Sequence, residues 1–215
     1  MSQAADEVRD SYDAVAEQYA KLFLTDLVGD ANSQGWLAAF AELAAQRTGP
    51  VADLGCGPGH VVDHLATLGV VAVGFDLSPG QIAQARTAFP DVEFHVGDLA
   101  ALDVADSSLG GIVARYSLIH LVPSGFDDVF LEWMRVLEPG APVLISFFAS
   151  SSAEAHATPF DHTVATAYEL FPATVAQQLS DAGFVVIDAG VCDPPAGGRP
   201  LGQGTVLARK PNAWR

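Results

Sequence analysis

The stretch VADLGCGPGH, residues 51–60, decides the fold of this chain, because three glycines stand where an apolar run ends and an amphipathic segment begins. The apolar residues before the first glycine predict a short buried strand. Gly55, Gly57 and Gly59 permit backbone angles and a close ligand approach that a side chain would block. The next segment, VVDHLATLG, has apolar residues near helical spacing. The loop therefore leads into a helix N-terminus, which favours a negatively charged ligand group.

Acidic residues accompany three successive strand-like runs. Asp53 lies two residues before Gly55, and Asp76 ends the run at residues 70–75, 21 positions beyond Gly55 (76 minus 55). A doubly wound sheet places a ribose-binding carboxylate near that distance. Asp98 follows a third run, VEFHV. We therefore expect three carboxylates at one sheet edge, although the glycines read G-x-G-x-G rather than the dinucleotide pattern G-x-G-x-x-G.

Together these segments resemble the class I S-adenosylmethionine-dependent methyltransferases of the bacterial small-molecule type, and the resemblance spans most of the chain. Residues 110–121, GGIVARYSLIHL, resemble the family's fourth strand and the segment beside the methyl group. Residues 131–147, LEWMRVLEPGAPVLISF, resemble its helix, Pro-Gly turn and fifth strand. Residues 8–23, VRDSYDAVAEQYAKLF, resemble the lid helix that many members place before the core.

The resemblance implies that S-adenosylmethionine is the cofactor and S-adenosylhomocysteine its product. It places residues 53–59 against the methionine part, Asp76 at the ribose hydroxyls, and Asp98 with Leu99 beside the adenine. For Asp53 the structural alternative is a cap on local backbone N–H groups. Tyr12 and Tyr19 share one face of the lid helix, and Tyr19 is the one expected to touch the cofactor. The expected cofactor contacts are Tyr19, Asp53, Gly55, Cys56, Gly57, Asp76, Leu77, Asp98, Leu99 and Tyr116.

The order of elements predicts an α/β, Rossmann-like, doubly wound sheet of seven strands, mostly parallel. Two final strand candidates, VVIDAG and GTVLAR, lack a helix between them and predict an antiparallel C-terminal hairpin. The strand candidates lie near residues 51–54, 71–75, 92–96, 110–114, 141–148, 183–189 and 204–209. We expect one methyltransferase domain, 1–215, divided into a helical lid (1–48), a cofactor-binding core (49–148), an acceptor-side insertion (149–172) and a C-terminal helix and hairpin (173–215).

The composition argues against nucleic acids and membranes as binding partners. The formal net charge is −16, from 10 basic and 26 acidic residues, and an acidic surface repels phosphate backbones, so we expect no nucleic-acid partner. No apolar run approaches the roughly 20 residues that span a bilayer, and the N-terminus lacks the features of a signal peptide, so we expect no membrane contact. Cys56 and Cys192 are 136 positions apart (192 minus 56), so we expect a cytoplasmic setting without a disulfide. A homodimer is left open.

Residues 149–172, ASSSAEAHATPFDHTVATAYELFP, do not fit the plain core. They follow the fifth strand, at the edge that also holds the cofactor loop, so their side chains can close over a small-molecule acceptor. The structural alternative is a solvated loop that plugs the sheet edge. The expected acceptor contacts are Tyr116, His120, His156, Asp161, His162 and Tyr168.

The expected reaction indicates which histidines are candidates for a catalytic base. Methyl transfer from a sulfonium is helped mainly by positioning, but a hydroxyl acceptor also needs a general base, and histidine suits neutral pH. His120 is our first candidate for a catalytic residue and His162 the second. The structural alternative for His120 is a helix-start residue bonded to backbone. We predict O-methylation of a small polar acceptor, a sugar or a natural product, with N-methylation of an amine as the runner-up.

Two further functions stay open at this point: an NAD-dependent oxidoreductase and a cofactor-binding regulator without catalysis. The glycine spacing and the absence of a Tyr-x-x-x-Lys pair near the fourth and fifth strands argue against the oxidoreductase. His60 and His64 are four residues apart on a helix, which is a spacing that can bind a metal. Because no third ligand is evident, we expect the pair to be incidental, and the need for a metal is undecided.

Overall fold

The computed structural model of the protein describes residues 3–25, 27–28, 30–150, 157–193 and 201–212, and it is built on a nine-stranded mixed sheet. The strands are β1 (Val51–Leu54), β2 (Ala72–Asp76), β3 (Phe94–Val96), β4 (Gly111–Arg115), β5 (Pro142–Ala149), β6 (Ala157–Phe160), β7 (Ala167–Leu170), β8 (Val185–Cys192) and β9 (Gly202–Arg209). All seven predicted strands are present. The sheet is two strands wider than predicted because β6 and β7 pair antiparallel within the segment expected as an insertion.

The strand order creates a crevice at the carboxyl ends of the central strands. The order is β3-β2-β1-β4-β5-β7-β6, and β1 pairs parallel with both β2 and β4. The chain thus reverses its direction across the sheet at β1, and α/β sheets bind ligands at such a switch point. On the far side β9 pairs antiparallel with β5 and with β8, which confirms the predicted C-terminal hairpin.

Helices cover both faces of the sheet. In the described ranges they are α1 (Gln3–Phe23), α2 (Ala31–Ala44), α3 (His60–Thr67), α4 (Pro79–Ala88), α5 (Phe126–Val136) and α6 (Pro172–Asp181). The start of α4 illustrates why they begin where they do. The Ser78 side chain accepts a hydrogen bond from the Gln81 N–H, and Pro79 stands at the start of the helix, where it loses no backbone hydrogen bond.

The core lies on both sides of the central strands. On one face the aromatic side chains of α5, including Trp133 and Phe130, are fully buried in the larger apolar cluster. On the other face Leu37 and Phe40 of α2 are fully buried against β1, β4 and β5. Residues 1–48, predicted as one helical lid, therefore divide into two parts, because α2 belongs to the core layer.

The other part, α1, lies over the carboxyl edge of the sheet and is fastened to the start of α4. Asp13 Oδ1 accepts a hydrogen bond of 2.7 Å from the Gly80 N–H and another from the Ser78 hydroxyl. A carboxylate is stabilised at a helix N-terminus by the free N–H groups there. In the described ranges no helix is long and apolar enough to cross a membrane. Cys56 and Cys192 are both free thiols.

Candidate functional site

The glycine-rich loop after β1 adopts a conformation that side chains would oppose. Gly55, Gly57 and Gly59 have φ values of 77°, 51° and 90°, in the left-handed region that favours glycine. A Cβ on Gly55 would lie 2.4 Å from the Ser117 Cβ. The loop can therefore pass the segment after β4 only because residue 55 has no side chain. This confirms the prediction that the three glycines permit backbone angles and close approaches that a side chain would block.

Asp76, at the end of β2, holds this loop in place. Its Oδ2 accepts a 2.8 Å hydrogen bond from the Gly57 N–H, and its Oδ1 accepts a 2.9 Å bond from the Ser78 N–H. Burial raises the pKa of the Asp76 carboxyl to about 6, although these N–H donors oppose the rise. Each oxygen keeps a second lone pair, so the carboxylate can still accept hydrogen bonds from a ligand.

Four buried polar atoms near the ends of β1 and β4 have no hydrogen-bond partner among the described residues: Asp53 Oδ2, His60 Nδ1, Arg115 Nε and Ser117 Oγ. Burial raises the pKa of Asp53 to about 7, although the nearby Arg115 opposes the rise. Burial also lowers the pKa of His60 to about 4. Buried polar groups without partners are costly, so atoms grouped in this way indicate a place for a polar ligand.

Arg115, at the end of β4, is a site residue that was not predicted from the sequence. Its side chain is only 5% exposed. The guanidinium donates a 3.0 Å hydrogen bond to the Ser33 hydroxyl, lies 4.0 Å from an oxygen of Asp30, and stands over the Tyr116 ring at 5.5 Å from the ring centre. The signal that could have found it is a charged residue at the end of an apolar strand, since a buried charge needs a partner. Arg115 thus places a buried cation beside the carboxyl groups of Asp53 and Asp30.

His120 and Tyr12 join the lid to the end of β4. The Tyr12 Oη lies 2.8 Å from His120 Nε2, and His120 Nδ1 lies 2.9 Å from the Thr166 carbonyl oxygen. A carbonyl can only accept, so Nδ1 donates and Nε2 accepts the phenolic proton. Burial lowers the pKa of His120 and raises the pKa of Tyr12 well above 10, so both groups are neutral near pH 7. The Tyr12 contact was not predicted, because the residues are 108 positions apart.

Tyr116 has an unusual backbone conformation. Its φ is 54°, and it is one of two non-glycine residues with positive φ in the described ranges. The left-handed region is unfavourable for a residue with a bulky side chain. The conformation directs the chain out of β4 at the point where Tyr116 lines the site.

Two adjoining cavities occupy the crevice. The smaller cavity, about 130 Å³, is bounded by the ends of β2 and β3 and by α1, and the larger cavity, about 720 Å³, lies between α1, the ends of β1, β4 and β5, and residues 162–164. All ten expected cofactor contacts line one or both. Asp76, Leu77, Asp98 and Leu99 line the smaller cavity, Asp53 and Cys56 line the larger, and Tyr19, Gly55, Gly57 and Tyr116 line both.

The expected acceptor contacts are brought together only in part. His120 lines the smaller cavity, His162 lines the larger, and the two rings are 5.4 Å apart. Asp161 is exposed and Tyr168 packs against the main core, and neither lines either cavity. Both belong to the β6–β7 hairpin and the residues between its strands, which extend the sheet edge. His156 lies outside the described residues.

His60 and His64, whose spacing could bind a metal, lie in different surroundings. His60 lines the larger cavity, whereas His64 does not line either one. Among the described residues no group of three or more His, Cys, Asp or Glu side chains is arranged to hold a metal ion.

The two cavities together suit a ligand with two different ends. Asp53 Oδ2 and Arg115 Nε, with unmet hydrogen-bonding capacity, fit the ammonium and carboxylate of an amino acid. The Asp76 carboxylate, at the smaller cavity, fits vicinal hydroxyls such as those of a ribose. S-adenosylmethionine has both of these ends, so the residues present fit this cofactor.

Comparison with known proteins gives a family. Residues 51–140 match the family described as "Methyltransferase domain". A demethylmenaquinone methyltransferase of Beutenbergia cavernae is 30% identical over 149 residues, which cover 67% of this chain and 59% of that protein. A protein of Mycolicibacterium smegmatis described as "Probable S-adenosylmethionine-dependent methyltransferase" is 31% identical over 142 residues, 64% of this chain and 52% of that protein. This chain spans less than two thirds of the length of these relatives.

A solved methyltransferase structure shares the fold of this chain. The solved structure of magnesium protoporphyrin IX methyltransferase from Synechocystis PCC 6803, with bound S-adenosylmethionine, superposes with a TM-score of 0.71 and 18% identity, covering 98% of each chain. At that identity the likeness shows a shared fold. With the matched domain and the relatives in sequence, it establishes that this chain belongs to the class I S-adenosylmethionine-dependent methyltransferases.

Proposed function

We propose that this protein methylates a hydroxyl group of a small-molecule acceptor bound in the larger cavity, with His120 as the general base acting through Tyr12. One observation carries the proposal. Neutral His120 has its Nδ1 committed to the Thr166 carbonyl and its Nε2 lone pair directed at the Tyr12 hydroxyl. Tyr12 lines both cavities, so this pair stands where the cofactor and the acceptor would meet.

The cofactor would be held at both ends by residues already positioned. Asp53 would accept from the ammonium of the methionine part, Arg115 would donate to its carboxylate, and Asp76 would accept from the ribose hydroxyls. Asp98 and Leu99 would border the adenine. When bound, S-adenosylmethionine supplies a methyl group on a sulfonium that is already an activated leaving group, so the protein contributes mainly positioning and proton removal.

Proton removal would follow the hydrogen bonds of the site. The acceptor hydroxyl donates to the Tyr12 Oη as its oxygen begins to bond to carbon, and Tyr12 passes its own proton to His120 Nε2. The Thr166 carbonyl accepts from Nδ1 and so stabilises the resulting imidazolium. The lowered pKa of His120 keeps the base neutral and ready at pH 7.

A relative in sequence supports a small-molecule acceptor. The Beutenbergia cavernae protein is named for demethylmenaquinone, a quinone rather than a macromolecule. The net charge of −16 likewise supports an acceptor without a phosphate backbone.

The test is transfer of label from methyl-labelled S-adenosylmethionine to pools of hydroxyl and amine acceptors, by the wild type and by His120→Asn. We expect label in a hydroxyl pool, and a fall in kcat of about 10²–10⁴-fold in the variant, the usual contribution of a general base. The Kd for S-adenosylhomocysteine should be unchanged. His95→Asn, at an exposed position of β3, is the matched control and should keep the wild-type kcat.

The pH profile separates a base from a structural role. With saturating cofactor, kcat of the wild type should fall at acid pH with a pKa below the ordinary 6.5 of histidine, because protonated His120 cannot accept. His120→Asn should lose that limb. A fully active variant, or label found only in amines and independent of His120, would refute the proposal. Cofactor binding with label in no pool would favour a non-catalytic protein.

A further inference from the structure

Aromatic rings form a nearly continuous line along the larger cavity. Neighbouring ring centres are separated by 5.5, 5.4, 5.4, 6.2 and 4.9 Å, which are ordinary distances for interacting aromatic pairs. Five of the six rings line this cavity, and the sixth, His120, lines the smaller one beside it. We call this line the ring belt; in order it consists of Tyr19, Tyr12, His120, His162, Phe148 and Tyr116.

The rim of the same cavity is apolar and open to solvent. Leu22, at the end of α1, is 64% exposed, and Val28, between α1 and α2, is 79% exposed, and both line the cavity. Exposed apolar side chains grouped around a concave site are typical of a surface that an apolar ligand covers. The volume of about 720 Å³ lies within the usual range of ligand sites, about 300–1,000 Å³, and leaves room beside the methionine end of the cofactor.

The charged side chains that line this cavity lie at one end of the ring belt, where Arg115 stands over the Tyr116 ring. Asp53 and Arg115 come from the ends of β1 and β4, and Asp30 precedes α2 and lies near Arg115. Of these, Asp53 and Arg115 are assigned above to the amino-acid end of the cofactor. The acceptor would therefore meet ring faces and ring edges more than charges.

We infer that the acceptor is an aromatic compound that carries a hydroxyl, a phenol or fused-ring analogue, with its ring held in the ring belt. The inference rests on the proposed function, since it names the class of the hydroxyl acceptor. An aromatic acceptor gains both burial and favourable ring pairing there. A sugar has no aromatic ring, so it would gain no ring pairing there.

Three probes that share a hydroxyl but differ in ring character test the inference: 2-naphthol, decahydro-2-naphthol and methyl β-D-glucopyranoside. Their binding to the protein saturated with S-adenosylhomocysteine is measured by calorimetry. We expect 2-naphthol to bind about two- to tenfold more tightly than its saturated analogue, although the analogue is the more apolar, and the glucoside not to bind measurably. Equal or tighter binding of the saturated analogue, or binding of the glucoside, would overturn the inference.

Phe148→Leu removes one ring of the belt while keeping an apolar side chain. The preference for 2-naphthol over decahydro-2-naphthol should shrink by about two- to tenfold, with the affinity for S-adenosylhomocysteine unchanged as evidence of a folded site. Leu131→Ala, 70% exposed on α5, is the control and should keep the preference. An unchanged preference in Phe148→Leu would also overturn the inference. Methylation of a glucoside that depends on His120 would refute it while leaving the proposed function intact.

Discussion

The two cavities of the site differ in how far apart in the sequence their lining residues lie. At the smaller cavity two of the polar groups, Asp76 and Asp98, lie at the end of β2 and just after β3, so each is positioned by its own strand. At the larger cavity the walls come from α1, three strands and residues 162–164. Groups positioned by their own strand are tolerant of changes elsewhere, whereas groups such as Tyr12 depend on how distant segments pack. The predictions below test that difference, beginning with the largest expected effect.

Asp76→Ala should damage cofactor binding most, because it removes a carboxylate that holds the loop and faces the smaller cavity. We expect a loss of roughly 1.5–3 kcal/mol in binding of S-adenosylhomocysteine, through lost charge-assisted hydrogen bonds. Calorimetric titration measures it. Asp91→Ala, at an exposed turn before β3, is the control. Unchanged affinity in Asp76→Ala would show that this carboxylate does not contact the ligand.

Asp53→Asn should weaken cofactor binding but stabilise the ligand-free protein. The pKa of this carboxyl is about 7 when folded, against an ordinary value of 3.8, so the folded state holds the proton that the unfolded state releases. The stability of the native protein therefore falls as pH rises from about 4 to about 7, and the full penalty is present above pH 7. Asparagine does not ionise, so the variant should gain on the order of 2 kcal/mol at pH 8 and less at pH 5.5.

Urea unfolding of ligand-free wild type and variant at both pH values measures this gain. Asp103→Asn, at an exposed position after β3, serves as the control and should change stability little. A variant that is less stable than the wild type at pH 8 would show that Asp53 has a favourable partner in the empty protein.

Asp13→Ala should have the smallest effect of the three, and it tests the attachment of α1. The change removes the acceptor for the Gly80 N–H and the Ser78 hydroxyl, which is comparable to loss of a helix cap, about 1 kcal/mol. Faster hydrogen exchange in α1, with the sheet unaffected, would report it. Asp10→Ala, exposed on the same helix, is the control. Exchange in α1 that is unchanged by Asp13→Ala would mean that other contacts hold this helix.

What the sequence predicts well is local. The loop glycines, the position of Asp76 at the end of β2 and the C-terminal hairpin were predicted because each follows from spacing within one or two elements. The family resemblance supplied the remaining cofactor candidates, and all of them line a cavity.

What the sequence did not predict depends on distant packing or on weak signals. The Tyr12 contact with His120 joins residues 108 positions apart, and no spacing rule connects them. Strand β6 has only four residues and contains Pro159, which argues against a strand in a sequence. It forms because β7 pairs with it and also reaches the end of β5. In the sequence Arg115 is a single charged residue after an apolar strand, and only the fold shows that it is buried beside Asp53 and Asp30.

The left-handed backbone at Tyr116 has a consequence for anyone who engineers this protein. A side chain in that region costs about 1 kcal/mol, which glycine avoids. Tyr116→Gly would relieve this conformation, but it would also remove a ring that packs against Phe148 and the main core, which is the larger loss, so it should lower the melting temperature. The same change would remove a ring that lines both cavities. Glycine at position 116 should therefore weaken both the fold and the pocket, so the strained backbone has to be kept together with the ring.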